Sequence, residues 1–492
     1  MQIQTILNSF LYTEIVNNQA ITISEIAYNS NKCTDNCIFV AIKGTSTDGS
    51  IFIDDAISKG AKVIVCENLP ATVHNDITYI IVPNSRVALA ELAYIFYDYP
   101  AKKMKIIGIT GTNGKTTTTF LLKSAIETAG KKVAVIGTAG IYINDKKIEA
   151  THTTPESLEL AQLFKEMNKE NIEYVVMEVS SHALAMHRTH GINFTIAAFT
   201  NLTHDHLDLH NTLEEYANAK KMLFDGLNND SIAVVNADDK YAEFMIANSK
   251  AKKITISSSN KQSADYFIDN VAIDKHNSKF TILNKNEKYD IETQLTAFFN
   301  VQNAALAIAI CFELGLDKDL VMKGIHESKG AKGRLELVKI KTGATAFVDY
   351  AHTPDALEKV LITCKDLLVE KNSTVEKKAS GKLICVFGCG GDRDKTKRAV
   401  MGEIAEKYAD IVIVTSDNPR TEDPILIIED ILKGIKNKSN VHTINNRSEA
   451  IKFAVSISSS KDIVLVDGKG HENYQIIGKE KRFFSDIEEL IR

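Results

Sequence analysis

The sequence lacks the long apolar segments that place a protein in or across a membrane. No uninterrupted apolar run approaches the roughly 20 residues that a membrane-spanning helix needs. The first residues, MQIQTILNSFLYTEI, have no basic region followed by an apolar core, so they do not have the pattern of a signal peptide. We therefore expect a cytoplasmic protein without membrane insertion.

The chain also lacks an excess of positive charge. It has 58 Lys and Arg residues against 63 Asp and Glu residues, which gives a formal net charge of −5. A protein whose main ligand is nucleic acid needs clustered positive charge to neutralise phosphates, so we expect no nucleic-acid partner. A small anionic ligand remains compatible with this charge, because a few local cations and a helix N-terminus are enough to bind one.

The seven cysteines form neither a disulfide framework nor a zinc set. Cys33 and Cys37, like Cys385 and Cys389, are four positions apart, but no nearby pair of His or Cys residues completes four zinc ligands. An odd number without a regular spacing indicates reduced thiols. We expect all seven to be small buried residues.

Short β-rich runs alternate with helical patterns along almost the whole chain. This alternation is typical of the α/β class with parallel sheets, and 492 residues are too many for one core. We predict three domains, each a mainly parallel sheet with flanking helices, at residues 1–100, 101–332 and 333–492. Asn84 or Ser85 is predicted to cap a helix that Pro100 closes, and the polar stretch 369–382 is predicted to be a solvated insertion.

A glycine-rich segment, GTNGKTT, stands between a predicted strand and a predicted helix. In this setting backbone N–H groups and the helix N-terminus bind phosphates, while Lys115 reaches the terminal phosphate and Thr116 binds Mg²⁺ directly or through water. A strict Walker sequence has glycine where this chain has Ile109, but the strand-to-helix setting favours a phosphate loop over a ligand-free turn. The predicted ATP-binding residues of the loop are Gly111, Thr112, Asn113, Gly114, Lys115, Thr116 and Thr117.

Two further predicted strands end in polar side chains. VVMEVSSH brings Glu178 to the end of an apolar run, and AAFTNLTHDHLDLH does the same for His206 and its neighbours. The carboxyl ends of parallel strands lie along one edge of a sheet, so both groups should lie beside the phosphate loop. Either residue alone is more simply a polar strand end, but together with a phosphate loop they favour binding of Mg²⁺ and ATP.

Several ordered motifs together resemble those of the Mur ligases, the ATP-dependent enzymes that build the peptide of peptidoglycan precursors. The motifs are GTNGKTT, EVSSHAL, HDHLDLH, YANAKKMLF, NVQN and VDYAHTPDAL. The resemblance as a whole extends over all three predicted domains, from about Ser30 to Asp486. The resemblance implies an N-terminal domain that binds a UDP-sugar, a central ATPase-like domain with the phosphate loop, and a Rossmann-like C-terminal domain that binds an amino acid. It also implies that ATP phosphorylates a substrate carboxylate and that an amine then displaces the phosphate.

The resemblance assigns roles to individual residues of the first two domains. The catalytic positions of the family are matched by Lys115, Glu178, His206 and Lys220. Lys220 matches a lysine that is carbamylated in the family. The simpler alternative is that Lys220 is an exposed cation on a helix, beside Lys221. The implied metal ligands are Thr116, Glu178, His206 and carbamylated Lys220. The implied contacts to adenine, ribose and phosphates are Asn300, Asn303, Arg334 and Asp349. The implied contacts to the UDP-MurNAc-dipeptide are Ser30, Thr45, Thr153, Thr154, Ser181 and Arg188.

Two departures from the family pattern stand in these regions. The family's Asp-Ser-Arg motif reads Asn29-Ser30-Asn31 here, so two of its uridine-side contacts are replaced. Ala297 stands where the family usually has glycine, directly before the asparagine-bearing helix. Each of the substrate-side hydroxyls, taken singly, could equally be a helix cap.

The motifs DNPR and GKGHE narrow the resemblance to the branch that adds the third residue of the peptide, and DNPR is typical of members that add meso-2,6-diaminopimelate to UDP-MurNAc-L-Ala-D-Glu. Arginine binds a planar carboxylate through two parallel hydrogen bonds, and L-lysine has no distal carboxylate to pair with Arg420. The alternatives are a lysine-adding enzyme, or an Arg420 that is only a solvated turn residue. The predicted amino-acid site consists of Arg393, Asp417, Asn418, Pro419, Arg420, Gly468 and Glu472.

Two rival functions share the phosphate loop. A folylpolyglutamate synthetase would have no dedicated N-terminal uridine-binding domain and no DNPR or GKGHE motif, whereas about 100 residues precede the loop here. A nucleotide-dependent switch protein would use ATP or GTP conformationally, but no Asn-Lys-x-Asp guanine signature follows the loop. We therefore expect a ligase with ATP as substrate and Mg²⁺ as cofactor, and we expect a monomer.

Overall fold

A computed structural model of the chain describes residues 1–44, 47–144, 146–203, 210, 212–369 and 381–492. The strands of these residues form three large sheets, one after another along the chain, and one small hairpin. The α/β class and the three-domain organisation expected from the sequence are confirmed. The domain boundaries at residues 100 and 332 stay predictions. Within the described ranges, no helix has the length and apolar character needed to cross a membrane.

The N-terminal domain is a five-stranded sheet in the order β1-β5-β4-β3-β2, parallel except for β1 at one edge. Asn84 caps the last helix as predicted by accepting hydrogen bonds from Arg86 N and Val87 N. That helix ends at Phe96 rather than at Pro100, because Asp98 and Tyr99 have positive φ and turn the chain earlier. The elements are α1 (Ile3–Leu7), β1 (Glu14–Val16), β2 (Ile26–Ala27), β3 (Cys37–Val40), α2 (Ile53–Ser58), β4 (Ala61–Cys66), β5 (Thr78–Ile81) and α3 (Ser85–Phe96).

The middle domain contains an 11-stranded sheet and the helices that cover it. Its first elements are β6 (Lys105–Thr110), α4 (Lys115–Thr128), β7 (Val133–Gly137), β8 (Gly140–Ile143), β9 (Lys146–Ile148), α5 (Ser157–Lys169), β10 (Tyr174–Glu178), α6 (Ser181–Ala185) and β11 (Ile196–Phe199). They are followed by α7 (Leu213–Asp225), β12 (Ile232–Asn236), α8 (Ala242–Ile246), β13 (Lys252–Ser257), β14 (Tyr266–Ile273), β15 (Ser278–Asn284), β16 (Glu287–Thr293), α9 (Phe298–Glu313) and α10 (Lys318–Glu327).

Strand β6 lies at the centre of this sheet, between β11 and β10, and both pairings are parallel. Only the outer strands, β8 and β9 on one side and β15 and β16 on the other, pair antiparallel. The central strands are buried on both faces and read as continuous apolar runs, as parallel strands between two helix layers do. The carboxyl ends of β6, β10 and β11 therefore meet at one edge, as the sequence predicts.

The C-terminal domain is a six-stranded sheet in the order β17-β18-β22-β19-β20-β21, parallel except for β17. A separate antiparallel hairpin, β23–β24, follows it and has no counterpart in the sequence-based prediction. The elements are β17 (Glu336–Lys339), β18 (Thr345–Asp349), α11 (Pro354–Leu367), β19 (Leu383–Phe387), α12 (Thr396–Tyr408), β20 (Ile411–Val414), α13 (Pro424–Leu432), β21 (Val441–Thr443), α14 (Arg447–Ser456), β22 (Ile463–Asp467), β23 (Tyr474–Ile477), β24 (Glu480–Phe483) and α15 (Asp486–Ile491). Most of the predicted insertion 369–382 lies outside the described residues.

The domains contact one another through specific side chains. Helix α3 packs on α5, and one buried apolar cluster continues from the N-terminal domain into the middle domain. The Tyr28 hydroxyl donates to Glu159 at 2.6 Å across this junction. At the other junction, Asp355 at the start of α11 accepts hydrogen bonds from Asn113 Nδ2 at 3.0 Å and Thr203 Oγ1 at 2.9 Å. The phosphate-loop region is therefore in direct contact with the C-terminal domain.

Ala297 has φ 89° and ψ 144°, a backbone conformation that almost only glycine adopts without strain. It is fully buried at the N-terminus of α9. The departure from the family's glycine therefore stores strain directly before the helix that carries Asn300 and Asn303.

Ala297→Gly should destabilise the protein less than Ala305→Gly, a matched change at a fully buried alanine inside α9. Both variants lose one buried methyl group, and in both the glycine loses more backbone entropy on folding than the alanine did. Only Ala297→Gly also removes backbone strain, which amounts to about 1–3 kcal/mol. Chemical denaturation of the two variants and the wild type measures the difference. Equal losses of stability would show that Ala297 is not strained.

Candidate active site

The phosphate loop lies between β6 and α4, as the sequence predicts. Gly111 and Gly114 have positive φ, and each lies against a neighbouring element. A Cβ on Gly111 would lie 1.9 Å from Thr200 Oγ1, and one on Gly114 would lie 2.4 Å from Asn303 Oδ1. The Lys115 ammonium donates to the carbonyl oxygens of Gly111 and Thr112, both at 2.8 Å, and so lies across the loop.

Glu178, the last residue of β10, has a buried carboxylate surrounded by donors. Thr116 Oγ1 donates to Oε1 at 2.9 Å, Thr138 N to the same atom at 3.0 Å, and Thr138 Oγ1 to Oε2 at 3.2 Å. A Cβ on Gly137 would lie 2.3 Å from Oε1, so this position excludes a side chain. The hydroxyl of Thr116 and this carboxylate are oxygen donors of the type that Mg²⁺ prefers, and their placement fits such an ion.

Lys220 lies on α7 with only 1% of its surface exposed. Its ammonium donates to Gly111 O at 3.0 Å and lies 4.4 Å from the ring centre of Tyr216. An exposed helical cation, the plain alternative considered for this residue, is therefore excluded. Lys221, the next residue, instead pairs with Asp225 one turn along the same helix.

Asn300 and Asn303 lie in the first turns of α9, and both are buried. Asn303 Nδ2 donates to Asn300 Oδ1 at 3.2 Å, and Asn300 Nδ2 donates to Thr296 O at 2.8 Å. This chain of hydrogen bonds fixes both amides next to Gly114. The two asparagines thus lie beside the phosphate loop.

Arg334 precedes β17 and reaches the phosphate-loop helix. Its Nη2 donates to Thr116 Oγ1 at 3.3 Å, and its guanidinium lies 4.6 Å from the ring centre of Tyr350. The Asp349 carboxylate accepts from the backbone N–H groups of Leu335 and Ala351, so it braces the segment that carries Arg334. Burial raises the pKa of Asp349, although the Arg334 guanidinium acts to lower it.

These groups line one cavity of about 440 Å³ between the middle and C-terminal domains. It contains the loop residues 112–117, Glu178, Lys220, Asn300, Asn303 and Arg334. Most of the residues predicted to bind ATP or metal thus surround a single space. His206, which the sequence predicts as a ligand at the same edge, lies outside the described residues. The described ranges contain no group of three or more His, Cys, Asp or Glu side chains with the placement of a metal site.

The predicted UDP-MurNAc-dipeptide contacts are only partly brought together. Thr153 Oγ1 lies 3.0 Å from Thr138 Oγ1 at the cavity wall, whereas Thr154 Oγ1 donates to Glu178 O and accepts from Ser180 N. Thr154 therefore holds the end of β10 in place and is no helix cap. The Ser181 hydroxyl lines the cavity and is buried, with no hydrogen-bond partner among the described residues.

Two further substrate-side residues, Arg188 and Ser30, lie outside the cavity wall. Arg188 donates to Thr154 O at 3.0 Å and pairs with Glu156 at 2.8 Å. Ser30 is buried in a short 3₁₀ helix of the N-terminal domain, in which Asn29 accepts from Asn31 N. Thr45 lies outside the described residues. Neither Ser30 nor Arg188 lines the cavity.

The DNPR and GKGHE motifs meet in the C-terminal domain. Asn418 Nδ2 donates to Glu472 Oε2 at 2.8 Å, and Asn418 Oδ1 accepts from Lys469 Nζ at 3.1 Å and Ile476 N at 2.9 Å. Lys469 also pairs with Glu472 at 3.3 Å and with Asp417 at 3.5 Å. Gly468 lies against this group, because a Cβ there would be 3.2 Å from Asp417 Oδ2.

Arg420 and Arg393 flank Gly390 on the loop after β19. A Cβ on Gly390 would lie 2.9 Å from Arg420 Nη1 and 3.8 Å from Arg393 Cγ. Arg420 Nη1 donates to Gly391 O at 2.7 Å, whereas Arg393 is exposed. The predicted neighbourhood of Arg393, Asn418, Arg420, Gly468 and Glu472 is therefore present.

The DNPR stretch is not the surface turn that its prolines and charges suggest. Residues 415–419 are buried, and the β23–β24 hairpin lies beside them. Arg420 N donates to Ile476 O at 3.1 Å, and Gly478 N donates to Arg420 O at 2.7 Å. Arg420 also has φ 52°. Its backbone is fixed by the hairpin, so it is no solvated turn residue.

Sequence reasoning missed three side chains that belong to this region. Thr138 binds Glu178, but nothing in its local sequence distinguishes it. Lys469 and His471 stand inside the GKGHE motif, where the motif itself was the available signal. The His471 ring lies 5.1 Å from that of Tyr350, and burial together with the Arg334 charge lowers the pKa of His471 to about 4. His471 thus lies between the cavity and a group of side chains that we call the amino-acid cluster. The cluster consists of Arg393, Asp417, Asn418, Arg420, Gly468, Lys469 and Glu472.

Comparison with known proteins agrees with these motifs over nearly the whole chain. The Mur ligase family catalytic domain matches residues 22–97, the Mur ligase middle domain matches residues 109–311, and the Mur ligase glutamate ligase domain matches residues 333–470. A protein of Clostridium tetani is 44% identical over 100% of this chain and 99% of its own length. The chain belongs to the Mur ligase family.

The relatives of this Mur ligase carry one recurring name. The Clostridium tetani protein, and one of Clostridium botulinum that is 42% identical over 100% of both chains, are named UDP-N-acetylmuramoyl-L-alanyl-D-glutamate–2,6-diaminopimelate ligase. A solved structure with the same name has a TM-score of 0.70 and 32% identity, and the match covers 100% of this chain and 98% of that one.

The folylpolyglutamate synthetase alternative receives support only at the level of the fold. A Mycobacterium tuberculosis folylpolyglutamate synthase has a TM-score of 0.62 at 18% identity. The match covers 92% of that enzyme but only 78% of this Mur ligase.

Proposed function

We propose that this Mur ligase joins meso-2,6-diaminopimelate to UDP-N-acetylmuramoyl-L-alanyl-D-glutamate, with ATP converted to ADP and phosphate, in the synthesis of peptidoglycan precursors. The observation that carries the choice of amino acid is the cluster of Arg420, Asn418 and Glu472, in which a guanidinium and a carboxylate lie in one small region. The names of its full-length relatives support the same reaction.

The three domains take separate parts in this proposal. Residues 1–100 bind the UDP-sugar, with Ser30 and Thr45 on the uridine side. Residues 101–332 bind ATP on the phosphate loop and the dipeptide near Thr153, Ser181 and Arg188. Residues 333–492 bind the amino acid. The enzyme works as a monomer in the cytoplasm.

The reaction begins at a carboxylate, which is a poor electrophile. An oxygen of the D-glutamate carboxylate attacks the terminal phosphorus of ATP, the bond to ADP breaks, and an acyl phosphate forms. Lys115 offsets the negative charge that would otherwise keep two anions apart, and Arg334 is a second cation close to Thr116. The amine of the amino acid then attacks the carbonyl carbon, loses a proton, and expels phosphate from a tetrahedral intermediate.

Thr116 and Glu178, which line the cavity, would hold magnesium together with the two ligands that the family resemblance implies, His206 and a carbamate on Lys220. Bound there, the ion would neutralise part of the phosphate charge. The cavity wall formed by the C-terminal domain, with Arg334 and the Asp355 contact to Asn113, keeps water from an acyl phosphate that would otherwise hydrolyse.

Diaminopimelate presents two carboxylates and one ammonium besides the reacting amine. Arg420 and Arg393 bind carboxylates, and Glu472 binds the distal ammonium. L-Lysine offers no distal carboxylate, so it would leave one arginine without a partner. This complementarity favours diaminopimelate over L-lysine; lanthionine, which carries the same charged groups, should be accepted more readily than lysine.

An amino-acid panel with the wild type and Arg420→Ala tests the specificity. Purified enzyme is given ATP, Mg²⁺ and UDP-MurNAc-dipeptide with meso-diaminopimelate, L-lysine, L-ornithine or lanthionine, and product masses are measured. The wild type should prefer diaminopimelate. Arg420→Ala should raise the KM for diaminopimelate about 30-fold or more, because a charged pair is lost, and should change the KM for ATP by less than about threefold.

Arg482→Ala is the matched control for this experiment, because Arg482 lies on the β23–β24 hairpin and pairs with exposed Glu480. It should leave both KM values close to those of the wild type. Preferred addition of L-lysine by the wild type would overturn the specificity but not the ligase reaction. Equal loss of ATP and diaminopimelate binding in Arg420→Ala would contradict the role of that side chain.

Lys220→Ala should lower kcat at least about 100-fold, because the carbamate would lose its place beside the phosphate loop. Acetate or bicarbonate should restore part of the activity by supplying the missing carboxylate. Lys221→Ala is the control, since Lys221 pairs with Asp225 instead of the loop. Steady-state rates of tripeptide formation measure all three effects, and full activity of Lys220→Ala would exclude the role.

A further inference from the structure

Lys469 is a fully buried lysine at the centre of the amino-acid cluster, and the proposed reaction gives it no part. Its ammonium has three oxygen partners within 3.5 Å, namely Asn418 Oδ1, Glu472 Oε2 and Asp417 Oδ1. Burying an ammonium costs several kcal/mol unless charged partners compensate it. A lysine in such a place therefore has a specific role in the charge of the site.

We propose that Lys469 is a positioning residue that sets the net charge of the amino-acid site and thereby makes it selective for a ligand with two carboxylates. The inference rests on the proposed function and concerns the same site. Lys469 acts in two ways: it orients the Asn418 amide, and it balances the charges of the ionised groups in the site.

Lys469 first decides which way the Asn418 amide faces. Asn418 Oδ1 accepts hydrogen bonds from Lys469 Nζ and from Ile476 N, so the amide oxygen is oriented toward these two donors. The NH₂ end must then face Glu472, to which it donates at 2.8 Å. The same lysine binds Glu472 Oε2. Both residues that face the ligand's ammonium are therefore held by one side chain.

Lys469 also completes the charge balance with the ligand. Three cations, Arg393, Arg420 and Lys469, oppose the carboxylates of Asp417 and Glu472, so these five side chains together carry one net positive charge. Arg447, the nearby buried arginine, is neutralised by its own pair with Asp486 at 2.8 Å. Diaminopimelate with its attacking amine neutral carries one net negative charge, which cancels that of the cluster.

L-Lysine in the same state has no net charge. Removal of the Lys469 charge makes the site one unit less positive, so it favours L-lysine over diaminopimelate relative to the wild-type site. One uncompensated charge inside the site changes the affinity of the site for its amino acid by about tenfold or more. The charge of a residue that contacts neither carboxylate of the ligand thus sets the preference between the two amino acids.

The test compares kcat/KM for L-lysine and for meso-diaminopimelate in four variants of the full chain. Lys469→Met should raise the ratio of L-lysine to diaminopimelate about tenfold or more. Asp417→Asn, which keeps the ammonium and removes an opposing carboxylate, should lower the ratio. The double variant Lys469→Met with Asp417→Asn restores the net charge and should return the ratio close to that of the wild type.

Lys481→Met is the matched control, because Lys481 lies near the cluster, over the Tyr474 ring at 3.9 Å, but is exposed and binds neither Asn418 nor Glu472. Its ratio should stay within about twofold of the wild type, since exposed charges are screened. The KM for ATP and the melting temperature are measured in every variant. A purely structural lysine would lower both activities together and leave the ratio unchanged.

Each outcome decides the matter. Equal loss of both activities in Lys469→Met, or a double variant that keeps the altered ratio, would overturn the role of Lys469. If Lys469→Met does not fold, Asp417→Asn still decides: a ratio of L-lysine to diaminopimelate that does not fall would overturn the role of the site's charge. A wild type that adds neither amino acid overturns the proposed function and this role with it, whereas an active wild type with an unmoved ratio overturns only the role of Lys469.

Discussion

The arrangement of the cavity depends on the hydrogen bonds that the buried carboxylate of Glu178 accepts. A carboxylate removed from water is stable only when donors satisfy its oxygens. Thr116 from the phosphate-loop helix and Thr138 from the turn after β7 supply those donors. Gly137 leaves the space, and Thr154 holds the backbone of Glu178 itself. One acidic side chain thus fixes three segments around the place where phosphates bind.

The C-terminal domain completes this arrangement from the opposite side. Arg334 reaches Thr116, which is also a partner of Glu178, so both domains contact the same hydroxyl. Asp349 holds the backbone of the Arg334 segment, and Asp355 binds Asn113 of the loop. His471 then links the Tyr350 ring of this junction to the Glu472 cluster. A chain of contacts therefore connects the Glu472 cluster to the loop 111–117.

Much of this could be predicted from the sequence, because parallel strands place their carboxyl ends at one edge. That rule led from GTNGKTT to Glu178 without knowledge of any contact, whereas Glu472 was predicted from the GKGHE motif. Lys220 and Lys221 are neighbours on one helix, and only the packing of α7 decides which one is buried. Thr138 acts mainly through position, so its residue type gave no signal. The burial of DNPR depends on the β23–β24 hairpin, whose short strands are too weak a pattern to predict.

Transfer of oxygen from the substrate carboxylate to phosphate tests most directly whether this site activates a carboxylate with ATP. The dipeptide substrate is labelled with ¹⁸O in the D-glutamate carboxylates, and the released phosphate is analysed by mass spectrometry. Formation of an acyl phosphate predicts one ¹⁸O atom in the phosphate for each tripeptide formed. Tripeptide formation with unlabelled phosphate would contradict the carboxylate activation on which the proposed function rests.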